Sequence, residues 1–190
     1  MPTDITELIL DDHERFRRAF ARLDELQADP ATSVDQLSEA WEPLADLLDV
    51  HAAAEEEVFY PQLLRRGDNA EDETEDAIGD HNDIRDAVRD TRATQVGSDP
   101  WWEAVGQARV ANDEHMAEEE REALADFRRN SPKELRTELG ERFTRYKIEH
   151  PESSDVDTSD IDPEEYIRAE QPDAARESDN SLGIGSLRGR

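Results

Sequence analysis

Five histidines, His13, His51, His81, His115 and His150, are the side chains of this chain best placed to do chemistry near neutral pH. His51 is followed four residues later by Glu55, and His115 by Glu119. On a helix that spacing puts both side chains on one face, about one turn apart, where they reach a common cation. The chain has no cysteine. Disulfides, thiolate nucleophiles, iron–sulfur clusters and cysteine-ligated zinc are thereby excluded, so any metal must be held by His and carboxylate. Such a donor set suits Fe, Mn or Zn better than Mg or Ca, which prefer shells made only of oxygen.

The pairs gain weight from the pattern around them. In the second helical segment the apolar stripe reads Leu44, Leu47 or Leu48, then His51, Glu55, and Val58 or Phe59. The first gives Ile9, His13, Phe16, Phe20 and Leu23, the third Ile78, His81, Ile84 and Val88, and the fourth Val105, Ala108, Ala111, His115 and Glu119. Four imidazoles and two carboxylates therefore sit in faces expected to be buried. A buried carboxylate needs a cation beside it. No Lys falls in these helices and their Arg residues mostly lie off the stripes, so metal ions are the natural compensation.

An internal repeat points the same way. The run from Asp12 and His13 through Phe16, Arg17 and Ala19 to Phe20 parallels the run from Asp80 and His81 through Ile84, Arg85 and Ala87 to Val88. Each is followed by a His-x-x-x-Glu on the next helix. Two similar helix hairpins, brought together about a pseudo-twofold axis, would each supply two His and one Glu to a central pair of metals, with both carboxylates able to bridge. Asp12 and Asp80 are read as solvated or capping residues rather than as supports for an imidazole, because neighbours on a helix face different ways. Arg85 either extends outward or approaches an anionic species at the metals. Tyr60, Trp41, Trp101 and Trp102 read as core packing, and His150 as a solvent residue.

The elements that must position these side chains are helices, because apolar residues recur at three- and four-residue steps and strict alternation is nearly absent. The spacing predicts helices over 4–28, 33–66, 71–95 and 101–129. Thr3 or Asp4 caps the first, Ser33 with Gln36 forms a capping box, and Pro61 bends or interrupts the second helix. Pro43 marks either a fresh start or a kink. Short links make neighbours antiparallel. The expected fold is all-α, an antiparallel up-down four-helix bundle over residues 1–130. A further basic helix over 131–148 carries Lys133, Arg136, Arg142, Arg145 and Lys147 and is expected to lie on the acidic bundle. Residues 149–190 read as an acidic, disordered tail, with a short docking peptide for a protein partner as the alternative.

Charge bounds the partners. Fifty acidic against 22 basic residues give a net charge of −28 over 190 residues, which repels nucleic acid and anionic membranes. Lys occurs only at Lys133 and Lys147. The composition resembles that of proteins from halophilic, salt-accumulating microbes, in which dense carboxylates keep a chain hydrated and salt screens their repulsion. No apolar run approaches a membrane span and the first residues are no signal peptide, so a cytoplasmic location is expected.

The order His, His-x-x-x-Glu, His, His-x-x-x-Glu on four helices, with Phe59, Tyr60 and Pro61 after the first Glu, resembles the hemerythrin-like HHE cation-binding family over about residues 8–128. The resemblance implies a non-haem di-iron centre, two Fe ions with an oxo or hydroxo bridge, in a four-helix bundle. Matched position by position, it makes His13, His51, Glu55, His81, His115 and Glu119 the metal ligands, with Glu55 and Glu119 as bridges. Mn and Zn fit the same donors. The implied partner is dioxygen or another small diatomic or peroxide ligand, in sensing, binding or oxidant defence. That describes a metal- and oxygen-binding protein more than a dedicated enzyme, and no catalytic side chain is required. An iron-responsive regulatory or iron-storage module is the competing reading. The chain departs from the oxygen carriers of the family at Arg85, where they have a further ligand His, and at Glu119, where they have an Asp one residue later. Glu119 at plus four fits the sibling HHE pattern, with Glu120 as the substitute, and four ligand histidines count against reversible oxygen carriage.

Overall fold

The structure, a computed structural model, describes residues 3–171, and among them all regular structure is helical. Helix α1 spans Ile5–Ala28, α2 Val34–Val58, α3 Tyr60–Leu64, α4 Ala70–Arg92, α5 Asp99–Arg121, α6 Ala123–Asn130, α7 Lys133–Glu149 and α8 Pro163–Glu170, with a single 3-10 turn at Ser153–Asp155. The starts are chemical. Asp4 accepts from the Thr6 amide, Ser33 and Gln36 close the capping box, and the Ser98 hydroxyl accepts from the Trp101 amide. Pro43 lies inside α2, which runs through it. The second segment is interrupted at Phe59, and Pro61 sits in the first turn of α3, where its missing amide hydrogen costs no bond.

Contacts along α1, α2, α4 and α5 fix the bundle. Asp12 meets His51 while Phe20 meets Trp41, so α1 and α2 run antiparallel. His81 meets His115 across α4 and α5, and Trp41 reaches both Thr91 and Trp101. The core divides into two apolar clusters. One gathers Phe16, Phe20, Leu23, Trp41, Val88 and Trp101. The other gathers Ile9, Val58, Phe59, Tyr60, Phe127 and Phe143. Between them lies a polar layer, held there because the apolar stripes continue on both sides of the histidines.

The basic seventh helix packs on α1 and α2. Leu139 and Phe143 enter the core, Lys147 bonds to Asp12, and Arg136 Nε donates to Asp4 Oδ2 at 2.7 Å. Gly140 permits this docking: a Cβ there would overlap the Thr3 carbonyl. Two sequence expectations need correction. The fourth segment is not one helix, since it breaks at Glu122 into α5 and α6, where no Gly or Pro marks the sequence. Nor is the chain without structure from 149 onward. Ser153 donates to Asp46 through its amide and hydroxyl, Ile161 and Asn82 exchange two hydrogen bonds, and Tyr166 donates to the Glu56 carbonyl at 2.5 Å. Ile161, Tyr166 and Ile167 cover the core edge. A few apolar residues suffice because polar side chains of α2 and α4 hold the backbone. Residues 172–190, the rest of the expected tail, lie outside the described residues.

Candidate metal centre

Each bundle helix contributes one imidazole to the polar layer, and His13, His51, His81 and His115 are all buried. Glu55 is fully buried at their centre. His51 Nε2 lies 3.0 Å from its Oε1, and His81 Nε2 and His115 Nε2 lie 3.3 and 3.9 Å from its Oε2. Two groups of donors close enough to share an ion result, His13 with His51 and Glu55, and Glu55 with His81 and His115. Glu119 stands differently. Its Oε2 lies 3.3 Å from His13 Nε2, and its Oε1 accepts a hydrogen bond from the Tyr60 hydroxyl at 3.1 Å. The six residues expected at the site are thus brought together, with Glu55 common to both groups and Glu119 beside His13.

The outer ring nitrogens explain the orientation of the inner ones. His51 Nδ1 bonds to Asp12 Oδ2 at 3.1 Å, His13 Nδ1 to Glu120 Oε1 at 2.9 Å, and His81 Nδ1 to Glu56 Oε1 at 2.9 Å. His115 Nδ1 lies 3.5 Å from Asp80 Oδ2. In every case the carboxylate comes from the neighbouring helix and not from the histidine's own. An ionised carboxylate only accepts, so Nδ1 carries the proton and Nε2 is the nitrogen presented inward. The four pairs obey the pseudo-twofold: the Asp before each hairpin's first His supports the second His of that hairpin, and the Glu after each His-x-x-x-Glu supports the first His of the other hairpin.

These supports are what sequence reasoning missed. Asp12 is not solvated: it is 2% exposed and also bonds to Lys147 of α7. Asp80 is partly exposed but faces His115. The signal was present, since the Asp-His pairs and the second Glu at plus five occur in both halves of the repeat. Arg85 is also placed. It is 2% exposed and donates to Glu56 Oε2 at 2.6 Å, so it pairs with the support of His81 rather than extending outward. Tyr60 is core, as expected, and holds Glu119 as well. His150 lies outside the layer, half-buried on Tyr146, with its Nδ1 bonded to the Tyr146 carbonyl.

The electrostatics mark a site arranged for cations. Burial alone would lower the His51 pKa, yet the Glu55 charge and the Asp12 bond raise it to about 9. His115 is raised to about 10, against burial, by Asp80 and Glu55. Burial of Glu55 is likewise outweighed, chiefly by His51, and its carboxyl is held well below the usual range. His13 Nε2, His51 Nε2, both Glu55 oxygens and Glu119 Oε2 are buried without a hydrogen-bond partner. Several of these atoms are close to one another but are not aligned as donor and acceptor. Ligand atoms that converge on common points and are not aligned on each other fit metal ligation, and leaving so many buried polar atoms unsatisfied is otherwise costly.

Comparison with known proteins agrees with this geometry. A family model described as hemerythrin HHE cation binding domain matches residues 4–127. No curated protein and no solved structure matches the chain.

Proposed function

This chain belongs to the hemerythrin HHE cation-binding domain family, and from that premise we propose that it is a non-haem di-iron protein that binds or reacts with dioxygen or a related small diatomic or peroxide ligand. His13, His51 and Glu55 hold one ion, Glu55, His81 and His115 hold the other, and Glu119 offers Oε2 from the His13 side. The observation that carries the proposal is the set of five buried, unpartnered donor atoms converging inside a dry layer. His and carboxylate alone leave Mn and Zn open, and the choice of iron follows from the family.

When bound, two ferrous ions supply the electrons that reduce a small oxidising ligand. The protein's own part is to hold four imidazoles in one tautomer through Asp12, Glu120, Glu56 and Asp80, and to keep bulk water out. Phe16 and Phe143 lie edge-on to the His51 ring at 5.0 and 6.0 Å. Tyr60, kept protonated by burial and by the Glu119 charge, fixes the orientation of Glu119. No side chain is needed as a general acid or base.

One observation favours a second reading, an iron-responsive regulatory or storage module. Appended elements touch the supports of the ligands directly, Lys147 at Asp12 and Tyr166 at the Glu56 carbonyl. Metal loading would then be felt by α7 and α8, and by any protein partner of the segment that follows. The two readings separate on exposing anaerobic ferrous protein to oxygen. Reaction with oxygen gives new ligand-to-metal absorption in the near ultraviolet. A spectrum that stays blank, together with iron-dependent hydrogen-exchange protection of α7 and α8, gives the regulatory reading instead.

A further inference from the structure

The four faces of the bundle are not alike at the level of the histidine layer. On the α1/α2 face Asp12 is neutralised by Lys147, and α7 lies across it. On the α2/α4 face Glu56 is neutralised by Arg85, and Tyr166 of α8 lies over it. On the α1/α5 face Glu120 accepts from Arg17 at 2.7 Å. Only Asp80, on the α4/α5 face, has no Arg or Lys in an ion pair with it among the described residues, His115 being its partner. That face carries a cleft that reaches two of the ligands. Glu73 and Asp76 from α4, with Glu118 and Glu122 from the end of α5, form its walls, and His115 and Glu119 line it from within.

The charge in this cleft is poorly compensated. Arg121 bonds to Glu122, but one oxygen of Glu73 is buried with no partner. Burial and the charges of Asp126 and Glu122 raise the Glu73 pKa to about 7 and outweigh the opposing charge of Arg129, which is the mark of carboxylates crowded together. Glu119 provides the independent sign of a ligand: it is 4% exposed, its Oε2 has no hydrogen-bond partner, and it lines this cleft.

We propose that the α4/α5 cleft is the port through which a divalent cation reaches the centre, its waters replaced in passage by the carboxylates of Glu73, Asp76 and Glu118 before it is handed to Glu119 and His115. The port rests on the di-metal reading given above. A cleft lined with one sign of charge and walled by low-dielectric protein concentrates the opposite ion, and such focusing raises association rates about 10- to 1,000-fold. The clefts beside α7 and α8 reach the supports Asp12 and Glu56, whereas the α4/α5 cleft is lined by the ligands His115 and Glu119 themselves.

Cobaltous ion tests this, since its visible bands report His and carboxylate coordination without any turnover. Full-length metal-free protein is mixed with Co²⁺ in a stopped-flow instrument at about 0.1 M salt, where screening confines charge effects to about 10 Å. The variant Glu73→Gln/Asp76→Asn/Glu118→Gln is compared with Asp35→Asn/Glu39→Gln/Glu42→Gln, which removes the same charge from the exposed start of α2. Circular dichroism establishes that both are folded. The cleft variant is expected to fill at least about 10-fold more slowly than wild type, to the same final two ions, while the control changes less than about twofold. Equal rates in the two variants overturn the port and leave the di-metal reading intact. Absence of coordinated cobalt in the wild-type protein overturns both.

Discussion

Glu55→Ala is expected to strip the protein of both metal ions, whereas Glu119→Ala is expected to leave the ion between His81 and His115 in place. The difference follows from position. Glu55 is the one carboxylate common to the two donor groups, with one oxygen toward His51 and the other toward His81 and His115. Among the described residues no other carboxylate reaches both sides, because Glu56 and Glu120 are committed to ring nitrogens on the outside of the layer. Glu119 instead stands against His13 and Tyr60. Removing a supporting carboxylate has a smaller effect: Asp12→Asn weakens binding about 10- to 100-fold by loosening the orientation and basicity of His51. Metal content per chain after anaerobic ferrous loading and desalting checks the series. Two ions retained by Glu55→Ala would show that the ligands lie elsewhere.

Filling the centre at pH 7 is expected to release about two protons per chain, and affinity for the pair of ions to rise about 100-fold per pH unit on the way to pH 9. Without metal, His51 and His115 have pKa values raised to about 9 and about 10, so both carry a charge at neutral pH. Protons stand where the cations would, around the Glu55 carboxylate. Ligation requires neutral imidazole, so each of the two must lose a proton, and raising pH removes the competitor. The sign for folding is opposite. A His whose pKa is raised on folding stabilises the metal-free protein fully below its unfolded value of 6.5, and that contribution is lost as pH rises through about 9 to 10. Alkaline pH therefore lowers the melting temperature of the metal-free protein while it tightens metal binding. Calorimetric titration in buffers of different ionisation enthalpy counts the protons, and thermal unfolding at pH 7 and pH 10 gives the second trend. Binding heats independent of the buffer would contradict both.

Much of this centre was legible because helical periodicity converts directly into direction. A His at the position of a stripe residue must face inward, and a Glu four residues on must face the same way, so the six donors were readable before any coordinate. The capping box at Ser33 and the interruption near Pro61 were readable from local chemistry. What periodicity cannot give is which neighbouring helix a flanking residue meets. Asp12 leaves its own helix at an angle that misses His13, and its role exists only because α2 brings His51 beside it. Arg85 sits one turn beyond His81, an inward position, but its partner Glu56 was hidden in a run of three Glu residues whose members face three ways. The structure after residue 150 was unreadable for another reason. It depends on single polar residues such as Asp46 and Asn82, far away in sequence, and not on a stripe of its own.

The place where the ions sit tests the central claim most directly. Crystals of the iron-loaded protein, measured at the iron absorption edge, are expected to give two anomalous peaks per chain, one among His13, His51 and Glu55 and one among Glu55, His81 and His115. No peak in the histidine layer, or peaks confined to the surface carboxylates, would contradict it.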